Sequence, residues 1–150
     1  MGYFFEQFAV GDTYLTPART LTETDIGNFA GLTGDFNPVH TDEVFASATA
    51  FGGRIAHGPL MVGMAFGLLS RLNVIDGTVL ALRRIEWTFD APLRAGDTVH
   101  VDARVLAVRP SSRHPDRGTV EMSLSVVNQN GEAAQQGKAS LIMMRGEPKP

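Results

Sequence analysis

The hydrophobic and polar positions follow different periods in the two halves of the chain. In the first half, the segment Leu60–Leu72 is almost wholly apolar, with no polar side chain before Ser70 and Arg71. It is too short to span a membrane, which takes about 20 apolar residues, and it lacks the polar face of a surface helix. The segment therefore predicts a helix buried on most sides. Pro59 suits the first turn of that helix, where a missing N–H is harmless.

The second half alternates between apolar and polar residues, which is the period of half-buried strands. Four runs keep their apolar residues on one parity: Val79, Ala81, Ile85, Trp87 and Phe89; Val99, Val101, Ala103, Val105 and Ala107; Val120, Met122, Leu124 and Val126; Ala139, Leu141 and Met143. Asn130-Gly131 predicts a type I′ turn between the last two strands, because both central residues of that turn need positive φ. Short connections of this kind predict an antiparallel sheet.

One buried helix and several long antiparallel strands have few ways to bury their apolar faces together. The sheet must curl around the helix, which predicts an α+β fold of the hot-dog type, a curled antiparallel sheet around one long central helix. Such a sheet leaves an exposed edge strand and an incompletely covered helix. We therefore expect a homodimer or a higher assembly of dimers.

The polar stretch before the buried helix predicts two short helices and a loop. Thr22–Asp25 is typical of a capped helix start. Pro38 biases the residue before it toward an extended conformation, so the segment Gly34–His40 is predicted to be a non-helical loop. Thr41 or Asp42 is then suited to cap a second short helix.

Length and composition narrow the classes of protein. The 150 residues, 43% of them hydrophobic, predict a single domain over residues 1–150 with a frayed tail from Gly146 to Pro150. The formal net charge of −3 gives no basic footprint for nucleic acid. Cysteine is absent, which excludes disulfides and suits a reducing cytoplasm. The N-terminal residues lack a signal-peptide pattern. We expect a cytoplasmic protein that binds neither nucleic acid nor membrane.

Asp35 and His40 are the most promising pair of ionisable residues. A helix would separate these two positions by about 140°, whereas a loop shaped by Gly34, Asn37 and Pro38 can fold them onto one site. A carboxylate beside an imidazole can polarise water and return a proton. The alternative is an Asx-type turn at Asp35 or Asn37 with a solvated His40. The spacing leaves both interpretations open.

Gly58 is the second candidate, because it stands at the start of the buried helix. Unpaired N–H groups and the helix dipole favour negative charge there, and Pro59 removes the next N–H. Gly58 could therefore supply one directed donor, although a glycine that merely permits a tight turn is the more common case. His57 beside it is more often a turn or packing residue than a catalyst. The four histidines lack the i, i+4 spacing of a helical zinc site, so no metal is expected.

Several arginines could hold a phosphorylated ligand, because the guanidinium group matches phosphate geometry. They are Arg83, Arg84, Arg94, Arg104, Arg109, Arg113 and Arg117. Most of them are expected to be solvated charges on strand ends and in the loop from Arg109 to Gly118. Their positions in the sequence do not choose among them.

Three segments together resemble the MaoC-like hydratases, a family that includes the (R)-specific enoyl-CoA hydratases and has the hot-dog fold. Phe29–His40 contains a D-x-N-P-x-H element, and Ala50–Gly58 ends in A-H-G at the expected distance. Phe89–Asp97 is similar to the strand–turn segment of the family. The resemblance extends over most of the chain.

The resemblance implies reversible addition of water across the 2,3 double bond of an enoyl thioester. It assigns Asp35 and His40 to the attacking water, Asn37 to a supporting position, and the N–H of Gly58 to the thioester oxygen. No cofactor or metal is implied, and coenzyme A is the carrier portion of the substrate. Phe66 departs from the family, because several members have a serine about two turns into the central helix. This departure bears on the acyl-chain preference rather than on the Asp/His pair.

Two other functions fit a hot-dog protein. A thioesterase would use the same helix N-terminus, but water would attack the carbonyl and release a free thiol. A non-catalytic module would bind an acyl thioester without turnover. The D-x-N-P-x-H element, with both Asp35 and His40 present, favours hydration. The length, branching or dicarboxylic character of the acyl chain stays open.

Overall fold

A computed structural model describes residues 1–146, in which an antiparallel six-stranded sheet wraps around one long helix. In chain order the elements are a 3₁₀ turn Phe5–Gln7, β1 Thr13–Leu15, β2 Arg19–Thr20, α1 Glu23–Thr33, α2 Pro38–Thr41, α3 Glu43–Ser47, α4 Gly58–Ser70, β3 Val79–Phe89, β4 Thr98–Pro110, β5 Arg117–Val127 and β6 Ala133–Met144. The strand order is β1-β4-β5-β6-β3, and β2 also pairs with β4. The predicted α+β architecture is confirmed.

The core lies between α4 and the inner faces of β4, β5 and β6. Its buried members are Met61, Met64, Ala65, Leu68 and Leu69 from the helix; Val99, Val101, Ala103 and Val105; Val120, Met122, Leu124 and Val126; and Ala139, Leu141 and Met143. Each large apolar side chain buried here stabilises the fold by roughly 1.5–3 kcal/mol. The alternation predicted for these three strands is confirmed except beyond Val105 on β4, where a register shift leaves Ala107 half-buried and Val108 packs against the core. Among the described residues, no helix is long and apolar enough to cross a bilayer.

Strand β3 departs from the predicted pattern. It pairs only with β6, and its register slips between Val79 and Ala81 and again between Leu82 and Arg84. Most of the residues expected to face the core are therefore exposed, including Ile85. As an edge strand β3 has one neighbour, and α4 packs mainly on β4 and β5, so no second layer buries most of β3. The apolar parity predicted a strand correctly, but not its burial.

The connection between β5 and β6 is a longer loop than predicted. The strands end at Val127 and resume at Ala133, and Gly131 has a φ of 78° while Asn130 does not have positive φ. Asn128 closes the loop instead, because its Oδ1 accepts hydrogen bonds from the N–H groups of Asn130 at 2.9 Å and Glu132 at 3.1 Å. The hairpin is confirmed, and the type I′ turn is wrong.

The two ends of the described chain meet. The N–H of Gly146 donates to Oε2 of Glu6 at 3.0 Å, and Arg145 Nε donates to Oε1 of the same carboxylate at 2.6 Å. The predicted fraying therefore does not begin at Gly146. The rest of the predicted tail, residues 147–150, lies outside the described residues.

Helix α1 starts and ends as its sequence predicts. The Thr22 side chain accepts a hydrogen bond from the N–H of Asp25 at 3.1 Å, and the Asp25 carboxylate accepts one from the N–H of Thr22 at 2.8 Å. Gly34 ends the helix with a φ of 78°, a conformation that glycine adopts without steric cost. This end leads directly into the segment that carries Asp35 and His40.

Candidate active site

Asp35 lies just before one turn of helix, and His40 lies within that turn rather than in an irregular loop. Pro38 occupies the first turn of α2, Pro38–Thr41, and Asn37 before it is extended, with a ψ of 130°. The Asn37 side chain accepts a hydrogen bond from the N–H of Val39 at 3.3 Å, while its own N–H donates to Asp35 Oδ1 at 3.2 Å. The prediction of a fully non-helical segment is therefore wrong, because Asn37 caps a turn that Pro38 can start. An Asx-type turn at Asp35 coexists with a half-buried His40.

The ring of His40 has a fixed orientation. Its Nδ1 lies 2.8 Å from the carbonyl oxygen of Ile55, 15 residues further along the chain. Because a carbonyl oxygen only accepts, Nδ1 carries the hydrogen, and Nε2 of the neutral ring is left unprotonated. His40 can therefore accept a proton at Nε2 and stay in place while it does so.

His57 contacts both candidate residues. It is buried at the start of α4, where its Nε2–H donates to the carbonyl oxygen of Asp35 at 2.9 Å. Its ring stacks on the ring of His40, with centroids 3.9 Å apart and planes at 28°. Its Nδ1 is buried and has no hydrogen-bond partner within residues 1–146. The sequence predicted a packing or turn residue, and the structure shows that what it packs against is the Asp35–His40 pair.

The same three residues have donor atoms within 4.8 Å of one another, which raises the question of a metal. Stacked imidazole rings direct their lone pairs nearly parallel, whereas metal ligands must converge on one point. In addition, Nδ1 of His40 and Nε2 of His57 already bond to carbonyl oxygens. The arrangement favours an acid–base pair over a metal centre.

Gly58 begins α4, and its N–H has no hydrogen-bond partner among the described residues. Pro59 contributes no N–H, so the N–H of Gly58 stands as a single donor at the positive end of the helix dipole. A Cβ at this position would lie 2.8 Å from the ring of Phe89. The glycine thus allows close packing against β3, and it also leaves its N–H open.

A cavity of about 450 Å³ lies beside His40 and Gly58, while Asp35 is close to His40 but is not part of the cavity wall. His40 and Gly58 line it, together with the strand–turn segment from Phe89 to Leu93 that the sequence had singled out. The walls are mainly apolar, with Gln135 as a further polar side chain. A small apolar cavity with a few directed polar groups is typical of a site for a small-molecule ligand.

The loop before α4 is held by charged residues around the cavity. Arg54 binds Glu23 at 3.0 Å and Glu43 at 2.9 Å, which ties α1 and α3 to this loop. The hydrogen bonds from Arg54 lower the pKa of the Glu43 carboxyl below its ordinary value of 4.5. Arg94 donates to the carbonyl oxygens of Arg54, at 3.1 Å, and Phe51. Arg94 therefore shapes the loop and is not a solvated charge at a strand end.

Most of the arginines and the two remaining histidines lie away from the cavity. Five of the arginines line a separate groove, namely Arg83, Arg84, Arg109, Arg113 and Arg117. His114 borders that groove too, and His100 lies on β4 near Asp102, 3.8 Å between Nε2 and Oδ1. Phe66 is half-buried against the core.

The sequence analysis predicted no role at the site for two residues of the cavity region, namely Trp87 and Gln135. The indole N–H of Trp87 donates to Oε1 of Gln135 at 2.9 Å. Gln135 shares the parity of the buried Ala139 and Leu141 on β6. Gln135 is a polar residue at a position of β6 where the alternation predicts an apolar one, and this signal could have identified it as a candidate site residue.

Comparisons with known proteins show the family of the chain. A family model for the MaoC like domain matches residues 5–129. The chain is 36% identical over 110 residues to the 3-hydroxybutyryl-CoA dehydratase of Methylorubrum extorquens, covering 73% of this chain and 68% of that protein. It is 35% identical over 111 residues to the (R)-specific enoyl-CoA hydratase of Rhodospirillum rubrum, covering 74% and 75%. With protein MaoC of Klebsiella aerogenes it shares 39% identity over 112 residues, and it spans only 32% of that longer protein.

Solved structures extend the likeness to the fold. The MaoC-like dehydratase from Rhodospirillum rubrum superposes with a TM-score of 0.87 at 32% identity, covering 98% of this chain and 100% of that one. A double hot-dog protein from Mycobacterium tuberculosis shares the fold at 18% identity, with a TM-score of 0.87 over 99% of this chain and 46% of that one. The hot-dog fold is confirmed, and the chain belongs to the MaoC-like dehydratase family, a family of hydro-lyases.

Proposed function

We propose that this chain catalyses the reversible addition of water to the 2,3 double bond of an enoyl-CoA thioester, giving an (R)-3-hydroxyacyl thioester. One observation carries the proposal: a carboxylate and an unprotonated imidazole nitrogen lie close together, and the imidazole shares one cavity with an unpartnered helix N–H. They belong to Asp35, His40 and Gly58. The names of the two relatives at 35–36% identity support the same reaction class.

The chemistry follows from these three groups. Water lies between Asp35 and His40, and one of the pair removes a proton while the water oxygen bonds to Cβ. The electron pair of the double bond moves through Cα toward the thioester oxygen, where the N–H of Gly58 stabilises the negative charge. The residue that took the proton from water then returns it, directly or through its partner, to Cα, and the carbonyl re-forms. Positioned acid–base groups supply about 10²–10⁴-fold and one oxyanion donor about 10²–10³-fold.

The step balances with water and the enoyl thioester alone. Coenzyme A serves as the carrier portion of the substrate, and no redox cofactor takes part in the proposed reaction. A reducing cytoplasm, which suits a chain without cysteine, is the proposed setting.

We further propose that the protein works as a homodimer joined along β3. That strand is hydrogen-bonded on one side only, to β6. It exposes four large apolar side chains, Leu80, Leu82, Ile85 and Phe89. A long bare strand edge with apolar side chains is a template for another strand, and an isologous pair of identical edges closes it.

A single assay separates the candidate functions. Purified protein is mixed with crotonyl-CoA, and the enoyl absorbance is followed beside a parallel reaction that contains a thiol reagent. We expect loss of absorbance without release of thiol. Thiol release would instead identify a thioesterase. Binding of crotonyl-CoA with neither signal would identify a non-catalytic acyl-thioester module, and the proposal would be wrong.

A further inference from the structure

Gln135 is a buried polar side chain that the proposed mechanism does not use. It is only 3% exposed, and it lines the cavity beside Gly58. In the antiparallel β3–β6 pair it lies directly opposite Phe89, so the two side chains share the inner face. A buried amide needs hydrogen-bond partners, since burying it without them costs free energy. Hydrogen-bond partners for the Gln135 amide are therefore expected among the residues around it.

Trp87 fixes which way the amide points. The indole N–H can only donate, so the atom 2.9 Å from it must be the amide oxygen of Gln135. The NH₂ group is thereby turned toward Gly58 and the cavity. Trp87 itself is held in place by Gly137, because a Cβ at that position would collide with the indole ring. The orientation of the amide is built into the sheet.

The NH₂ group is only partly satisfied within the protein. The carbonyl oxygen of Gly58 accepts a hydrogen bond from Nε2 across 3.5 Å, at the outer limit of such a bond. An amide nitrogen carries two hydrogens, and the second has no acceptor among residues 1–146. A neutral donor with one free hydrogen is thus presented in the same cavity as the N–H of Gly58.

We infer that Gln135 is a substrate-contacting residue that donates a hydrogen bond to a carbonyl oxygen of the acyl-pantetheine arm. A neutral N–H beside apolar walls suits a carbonyl acceptor better than a phosphate, which calls for cationic partners. The arm offers the thioester carbonyl and the amide carbonyls of pantetheine, which share this chemistry. The inference rests on the proposed function and adds a further group to the same site.

The test uses Gln135→Met, which has similar length but no N–H, alone and combined with Trp87→Phe. In the single variant the indole N–H loses its acceptor, so we expect a lower Tm as well as lower activity. In the double variant both polar partners are gone, which is close to neutral for stability, so Tm recovers. We expect kcat/KM with crotonyl-CoA to stay about 10- to 100-fold low in the double variant. A merely structural Gln135 would show kcat/KM recovering together with Tm, and that result would overturn the inference.

Lys138→Met is the matched control, because Lys138 is an exposed residue on the same strand and does not line the cavity. We expect it to keep the wild-type kcat/KM. In the double variant, a loss confined to kcat identifies the thioester oxygen as the acceptor, and a loss confined to KM identifies a pantetheine carbonyl. Either pattern supports the inference.

Binding of butyryl-CoA, which has no double bond to hydrate, distinguishes failure of the inference from failure of the proposed function. The Kd is measured by calorimetry for the wild type and for the double variant. Weaker binding by the double variant supports the contact even if the wild type hydrates no enoyl thioester. Equal Kd values beside equal kcat/KM values overturn the inference and leave the proposed function standing. A wild type that neither hydrates crotonyl-CoA nor binds butyryl-CoA overturns both.

Discussion

Two concave regions of the molecule differ in size and in chemistry. The groove around Arg83 and Arg84 has a volume of about 780 Å³ and is rich in arginine. The cavity around Gly58 has about 450 Å³ and mainly apolar walls. The two regions are close along the chain, because Arg84 precedes Phe89 by five positions on β3, about 16 Å along a strand.

The larger and more charged region is the less promising site. Three of its arginines already have carboxylate partners, in the pairs Arg84–Glu86, Arg109–Glu121 at 3.5 Å and Arg117–Asp116 at 2.8 Å. The hydrogen bonds from Arg117 lower the pKa of Asp116 below its ordinary value of 3.8. Exposed pairs of this kind contribute little. The smaller cavity instead presents atoms without a partner among residues 1–146, namely Nε2 of His40 and the N–H of Gly58, and such atoms can act on a substrate.

The largest effect is expected when the acid–base pair beside the cavity is substituted. We expect Asp35→Asn and His40→Gln each to lower kcat for crotonyl-CoA hydration by about 10²–10⁴-fold, because each removes one member of the acid–base pair. Asp102→Asn, at an exposed position on β4, is the matched control and should keep full activity. Near-normal turnover in a folded Asp35→Asn or His40→Gln protein would contradict the assignment.

His57→Phe tests the residue that contacts both members of the pair. Phenylalanine can keep the ring stack on His40 but loses the hydrogen bond to the carbonyl oxygen of Asp35. We expect kcat to fall by about tenfold to a hundredfold while KM changes little, since one buried hydrogen bond to the positioned loop is lost. Steady-state kinetics with circular dichroism as a folding check would measure this. Unchanged kcat would mean that the hydrogen bond from His57 to the carbonyl oxygen of Asp35 does not position the pair.

Ile85→Lys tests the bare edge that runs between the two regions. A lysine on the exposed edge strand should oppose pairing of identical edges, because it brings like charges together. We expect the variant to elute as a monomer in size-exclusion chromatography with light scattering, where the wild type elutes as a dimer. Lys138→Gln, on the neighbouring strand, is the control. A wild-type monomer would remove the basis for the β3 dimer.

The smallest effect is expected in the groove. Arg83 and Arg113 have no carboxylate partner among the described residues, so they are the arginines freest to bind phosphate. If the groove takes no part in the reaction, Arg83→Ala and Arg113→Ala leave kcat/KM within about twofold, as for other surface changes. A large rise in KM for crotonyl-CoA, absent for a truncated thioester without phosphates, would break the comparison and give the groove a role in binding coenzyme A.

The parts of the fold that follow from local patterns could be predicted from the sequence. Alternation located β4, β5 and β6, the apolar run located α4, and Thr22 with Asp25 located the start of α1. The burial of β3 could not be predicted, because the sequence pattern does not say which strand stands at the edge. The turn type predicted between β5 and β6 was wrong for a related reason. The side chain of Asn128 bonds to the backbone of the loop, which is a local alternative to the expected turn.

Only the part of the site that lies within one short segment of the chain could be predicted from the sequence. Asp35 and His40 are close in sequence, and the structure brings their donor atoms within 4.8 Å of those of His57. Contacts that depend on tertiary packing could not be predicted from the sequence. The stacking of His57 on His40 and the hydrogen bond from Trp87 to Gln135 join positions 17 and 48 residues apart. No spacing rule relates such positions.

The close approach of Gly58 to Phe89 has a genetic consequence. An alanine at position 58 keeps its N–H, so its damage comes mainly from pushing the Phe89 ring aside. A smaller residue at 89, such as leucine, would make room for the new methyl group. In a selection for growth that depends on this enzyme, second-site revertants of Gly58→Ala should therefore accumulate at position 89, on strand β3 rather than helix α4 and 31 residues away in the chain.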